Sequence, residues 1–108
     1  MKKILHDVIV GLVITSALSA CSRPKPHVVT LTWHAPQPQS GVTIVGYDIY
    51  RSTTPGGPYV RIATNAKLLN YNDSLVNPGR TYFYVVKSVD QRGRSSRDSN
   101  QARADIPP

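Results

Sequence analysis

The chain contains one thiol, Cys21, and no glutamate. A lone thiol cannot close an internal disulfide, so Cys21 is left as a nucleophile or an attachment point. Beyond the first twenty residues the imidazoles are His27 and His34. Their odd spacing does not put both on one face of a strand, and metal binding needs clustered His, Cys or carboxylate side chains. Hydrolysis needs a nucleophile, a base and an orienting group within reach of one another. Ser, His and Asp occur in almost any chain, so their presence alone carries no such message. Phosphate cradling needs a glycine-rich loop that enters a helix; here Pro55-Gly56-Gly57-Pro58 joins two strand-like runs. No catalytic residue, no metal site and no cofactor are expected.

Charge is the second chemical feature. Lys and Arg number 13 against 6 Asp and Glu, for a formal net charge of +7. Such an excess suits an anionic partner: a phospholipid surface or an anionic glycan, with nucleic acid not expected. Arg92, Arg94 and Arg97 concentrate this charge in a polar stretch around Gly93. Together they can grip anionic headgroups or glycan groups.

The elements that position these groups begin with a leader. Met1-Lys2-Lys3 is followed, after His6 and Asp7, by an apolar run over residues 8–20. That run is too short for a bilayer span, which needs about 20 residues. A positive start, a short apolar run and small residues at its end have the form of a secretory signal peptide. The boundary Leu18-Ser19-Ala20-Cys21 resembles the lipobox of bacterial lipoproteins. The resemblance implies cleavage before Cys21, diacylation of its thiol and acylation of the new amino terminus. Two or more acyl chains anchor a protein stably where one does not. The expectation is therefore a lipoprotein of the cell envelope, held on a membrane through palmitate-like chains at Cys21. Ser22, in place of an Asp, resembles the outer-membrane default. Residues 1–20 form the leader, residues 21–27 the lipidated cysteine and a Pro24- and Pro26-stiffened tether, and residues 28–108 the folded domain.

Past the tether the chain alternates. Val29, Leu31 and Trp33 share one face of a strand over residues 28–34. Tyr47 and Ile49 face inward from a second strand over residues 42–51, with Asp48 and Tyr50 outward. Shorter runs follow over residues 59–63 and 68–72. The Pro78-Gly79 turn then opens a run of aromatic and β-branched residues from Tyr82 to Val89 that suits a central strand. Tyr82 stands where a tyrosine corner would place it, with its hydroxyl folded back to the backbone near Val76. Residues 100–106 alternate once more, and Pro107-Pro108 ends the strand. Six short strands and no amphipathic helix after residue 21 predict an all-β sandwich.

The order of these pieces resembles the fibronectin type III domain. The matching residues are Leu31-x-Trp33, Gly46-Tyr47-x-Ile49-Tyr50-Arg51, Tyr71-x-Asp73, Pro78-Gly79-x-x-Tyr82-x-Tyr84 and Ser99-Asn100. The resemblance implies an immunoglobulin-like Greek-key sandwich of two sheets, with Trp33, Tyr47 and Tyr82 in its core. It departs from the family at the start. Little chain separates Cys21 from the Trp33 strand, so the first strand of the family, strand A, is expected to be absent or reduced. In animal relatives the loop before the last strand can carry Arg-Gly-Asp; here it reads Arg92-Gly93-Arg94, so integrin binding is not implied.

A fold of this kind does not fix a function. Two readings follow. The first is a membrane-anchored, non-catalytic binding module for an envelope protein or anionic glycan, through the basic loop or through an outward apolar patch at Tyr50, Phe83 and Val85. The second is a structural spacer or assembly component of the envelope with no ligand of its own.

Overall fold

The computed structural model describes residues 10–16 and 27–108. Cys21 and the tether, residues 17–26, lie outside the described residues. Seven strands are present among them: β1 (Val10–Ser16), β2 (His27–Trp33), β3 (Ile44–Ser52), β4 (Val60–Ala66), β5 (Asn70–Asp73), β6 (Thr81–Asp90) and β7 (Ala102–Asp105). They form a three-stranded sheet in the order β1-β2-β5 and a four-stranded sheet in the order β4-β3-β6-β7. All the pairings are antiparallel. Among the described residues no helix is long and apolar enough to cross a membrane.

The core lies between the sheets and follows from period-two alternation. Val29, Leu31 and Trp33 enter it from β2, Tyr47 and Ile49 from β3, and Tyr82, Tyr84 and Val86 from β6. Ala102, Ala104 and Ile106 complete it from the β7 side. Trp33 packs on Tyr47 with ring centroids 5.5 Å apart and planes tilted by 59°. Each fully buried aliphatic side chain contributes roughly 1.5–3 kcal/mol, so this row of inward residues sets the register of every strand that carries it.

The expected tyrosine corner is present. The Tyr82 hydroxyl accepts a hydrogen bond from the Asn77 backbone N–H at 2.9 Å. Gly79, at φ +73°, makes the turn that brings Asn77 over the ring. Tyr82→Phe removes only the acceptor and leaves that N–H unpaired. The expected loss is about 1–3 kcal/mol of unfolding free energy, measured by urea denaturation; unchanged stability would show that water replaces the hydroxyl without cost.

Two sequence expectations are corrected. Strand A was expected to be absent or reduced, with too little chain ahead of the Trp33 strand to form it. Instead β1 pairs with β2 along its whole length, from Val10 opposite Trp33 to Ser16 opposite His27. An apolar, β-branched run has the composition of a strand as well as that of a leader, and β2 offers it an open edge. His27, assigned to the tether, is the first residue of β2 and is buried. His34 is exposed just past its end.

Polar side chains complete the sheet where β7 stops short. Ser99 Oγ accepts from the Val86 N–H at 2.8 Å, and Ser96 Oγ accepts from the Ser88 N–H at 2.9 Å. The backbone amides of the same two serines donate back to Val86 and Ser88 carbonyls. Residues 95–99, which read as a polar loop, therefore act as a side-chain extension of the last strand. This satisfies buried backbone groups of β6 that would otherwise be orphaned.

Candidate functional site

The sandwich has two poles. Antiparallel register brings the start of β2, the end of β3, the end of β5 and the start of β6 to the same one. A polar cluster closes the sandwich there. Arg51, near the end of β3, reaches across to the other sheet. Its Nη1 donates to Asp73 Oδ2 at 2.7 Å, to Asp73 Oδ1 at 3.0 Å and to the Leu75 carbonyl at 3.1 Å. The Tyr84 hydroxyl donates to Asp73 Oδ2 at 2.6 Å, and the Leu75 N–H donates to Oδ1 at 3.1 Å. Asp73 is buried, with 3% of its side chain exposed against 24% for Arg51. A buried carboxylate needs this many donors, since an unpaired charge there would cost several kcal/mol. Burial, and then the hydrogen bond to Asp73, push the Tyr84 hydroxyl well above the ordinary phenol range.

Beside this cluster lies a cleft of about 340 Å³, lined by Arg51, Ser52, Thr53, Thr54, Pro58, Val60 and Tyr82. The Arg51 guanidinium carbon sits 5.5 Å from the centroid of the Tyr82 ring. All its hydrogen bonds to the described residues leave from Nη1. Nε and Nη2 have no partner among the described residues. Ser52 Oγ accepts from the Thr54 N–H at 2.9 Å and donates to the Thr54 carbonyl, fixing the turn that walls the cleft.

The side chains singled out from the sequence are not gathered into one site. Arg94 is tied down: its Nε donates to Asp90 Oδ2 at 2.8 Å. The Arg92 and Arg94 amides both donate to Asp90 Oδ1 at 2.9 Å. Burial works against the Asp90 charge, but these amides and the Arg94 guanidinium outweigh it and hold the carboxyl below its usual range. Arg92 and Arg97 are exposed. The basic loop thus sits at the pole opposite Arg51, with one of its three charges already used inside the fold.

The outward patch on β3 and β6 is covered. Phe83 is only 8% exposed and Val85 only 2%. The loop between β3 and β4 folds toward β7, where the Gly56 N–H donates to Gln101 Oε1 at 2.8 Å and the Tyr59 hydroxyl donates to the same atom. Lys87 Nζ lies 5.2 Å from the centroid of the half-buried Tyr50 ring. Phe83 and Val85 therefore do not form an open surface, and Tyr50 is shared with Lys87. No group of three or more His, Cys, Asp or Glu side chains that could hold a metal occurs among the described residues.

Sequence reasoning passed over the Arg51, Asp73 and Tyr84 cluster. Each residue stood inside a quoted motif, but none was given a role. The available signal was an Asp at the end of a strand and an Arg at the end of another.

No protein-family model matches the chain. Over 60 residues, 56% of its length, it is 45% identical to an amylopullulanase of Thermoanaerobacter thermohydrosulfuricus, of which this is 4%. The chain thus spans a small fraction of the curated relatives it matches. Among solved structures it resembles an Fn3-like protein from Clostridium thermocellum, with 34% identity, a TM-score of 0.64 and 88% of each chain covered. It also resembles part of a β-1,2-glucanase from Parabacteroides distasonis, with 28% identity and a TM-score of 0.62, over 75% of this chain and 11% of that one. The two-sheet strand order, the corner at Tyr82 and an identity of 34% sustained over 88% of both chains lead to one conclusion: this chain belongs to the fibronectin type III-like family.

Proposed function

We propose that the chain is a lipid-anchored, non-catalytic module of the bacterial cell envelope that binds glycan close to the membrane. The observation that carries this reading is the likeness to a 60-residue stretch making up 4% of an amylopullulanase. A sandwich that is so small a part of an enzyme fits an accessory role better than the reaction itself. The anchor is supported by Leu18-Ser19-Ala20-Cys21, where the sole cysteine stands at the position that acylation requires.

The fold adds a direction to the anchor. His27 opens β2 at the Arg51 pole, and Cys21 precedes it by six positions, a reach of roughly 20 Å when extended. Acyl chains on Cys21 hold that pole near the bilayer and leave the loop around Gly93 pointing away. Cleavage before Cys21 also removes β1 and opens the outer edge of β2.

Labelling with a radioactive fatty acid tests the anchor. The expected result is label on the parent chain and loss of both label and membrane retention in Cys21→Ala. A Cys21→Ala chain that stays on the membrane sinks the lipoprotein reading. Retention of the lipidated chain on isolated envelope polysaccharide tests the binding role. The spacer reading is favoured by a specific observation, the internal use of Arg94 and the cover over Phe83. It predicts no retention.

A further inference from the structure

We propose that the cleft beside Arg51 is a subsite for one sugar unit of a glycan, in which the free edge of the guanidinium donates to two adjacent ring hydroxyls. This rests on the binding-module reading and names where the glycan sits.

The cleft is small. At about 340 Å³ it stands at the lower end of the range for ligand pockets, which suits a single ring better than an extended chain. Its polar group is already held in place. Three acceptors fix Arg51 through Nη1 alone, so Nε and Nη2 present a planar pair of donors without needing to be ordered by the ligand. Pre-ordering of this kind lowers the entropic cost of binding.

Charge selects among ligands. The Arg51 cation is matched by the Asp73 carboxylate at 2.7 Å, so a fully anionic ligand meets a pair whose charges cancel. Vicinal hydroxyls need no net charge, and they can both accept from the guanidinium and donate elsewhere. Thr53 and Thr54 line the mouth of the same cleft, and Pro58 and Val60 give it an apolar wall. Val60 is 68% exposed on β4, opposite Arg51 in the register. It can face the C–H surface of a sugar ring. In the loop around Gly93, by contrast, Arg94 is held by Asp90.

The test uses the full chain, isotopically labelled in detergent micelles and titrated with maltotriose. Shifts are expected at the amides of Ser52, Thr53, Thr54 and Val60 and at Arg51 Nε. Val60→Trp fills the cleft from an exposed position opposite Arg51 in the β3–β4 register, leaves the Asp73 carboxylate in place, and should weaken binding at least about tenfold. Arg51→Lys keeps the charge but loses the fork, and should weaken binding similarly; the Tyr84 signals report whether each variant is still folded. Maltotriose shifts at residues 92–97 instead, or none at all, overturn the subsite. Glucuronate binding about tenfold tighter than maltotriose overturns the hydroxyl pair as the recognised group. Retention on envelope polysaccharide separates the two levels of the proposal. If the parent and Val60→Trp are retained equally, the cleft is wrong and the binding module stands. If the parent is not retained, the module reading itself fails.

Discussion

Asp73→Ala should lower the unfolding free energy by about 3 kcal/mol, the low end of what breaking a buried ion pair costs. The low end applies because Arg51 keeps 24% of its side chain in solvent, and water can partly replace the lost carboxylate. The substitution strips partners from the Arg51 guanidinium, the Tyr84 hydroxyl and the Leu75 N–H together. Tyr84→Phe removes one of those links and should cost about 1–3 kcal/mol. Because the two side chains touch, their effects should not add, and the double variant should be less destabilised than the two losses combined. Urea melts of the four proteins measure this. A loss under about 1 kcal/mol for Asp73→Ala would mean that the cluster is a solvated surface feature and does not clamp the two sheets.

Stability should also fall steeply in alkali. Tyr84 has its ionisation raised by burial and by the neighbouring Asp73 carboxylate, and Tyr47 has its own raised by burial. In the unfolded chain a tyrosine ionises near pH 10. Above that pH the unfolded state has released protons that the folded state still holds. The stabilising contribution is therefore complete below about pH 10 and lost as pH rises beyond it, by up to about 1.4 kcal/mol per pH unit for Tyr84. Denaturant midpoints between about pH 9 and pH 12 should drop for the parent and drop less for Tyr84→Phe. Parallel slopes in the two proteins would show that Tyr84 ionises in place, without unfolding.

Much of the fold could be read from local pattern. Pro78-Gly79 ahead of Tyr82 marked the corner, and the alternation through Val29, Leu31 and Trp33 marked the core face, because each depends on residues a few positions apart. The clamp depends on residues 22 positions apart in facing sheets, and no local spacing announces it. Phe83 and Val85 looked outward by alternation but are buried, and the loop tied to Gln101 near β7 is a long-range contact that local pattern does not show. Residues 10–16 were ambiguous for another reason. An apolar run bounded by small residues satisfies the rule for a leader and the rule for an edge strand at once, and the vacancy beside β2 lies too far along the chain for local pattern to show it.

That double identity sets a race during synthesis. Ten residues separate Ser16 from His27, a separation that an unfolded chain closes in about 10–100 ns, and hairpins zip within microseconds. Ribosomes add only about 5–20 residues per second. Once both partners have emerged, pairing is therefore far faster than further elongation. A leader engaged in a sheet cannot also lie in an export channel. If the segment is exported, the machinery must capture residues 10–16 before residues 27–33 leave the ribosome, or pull the hairpin apart afterwards. Two strands with no other strand to pack on are marginally stable in water, which keeps the second route open until β3 brings Tyr47 against Trp33. The passage from Trp33 to Tyr47 thus acts as a timer, and the chain's own order of emergence decides whether its first strand is kept or surrendered.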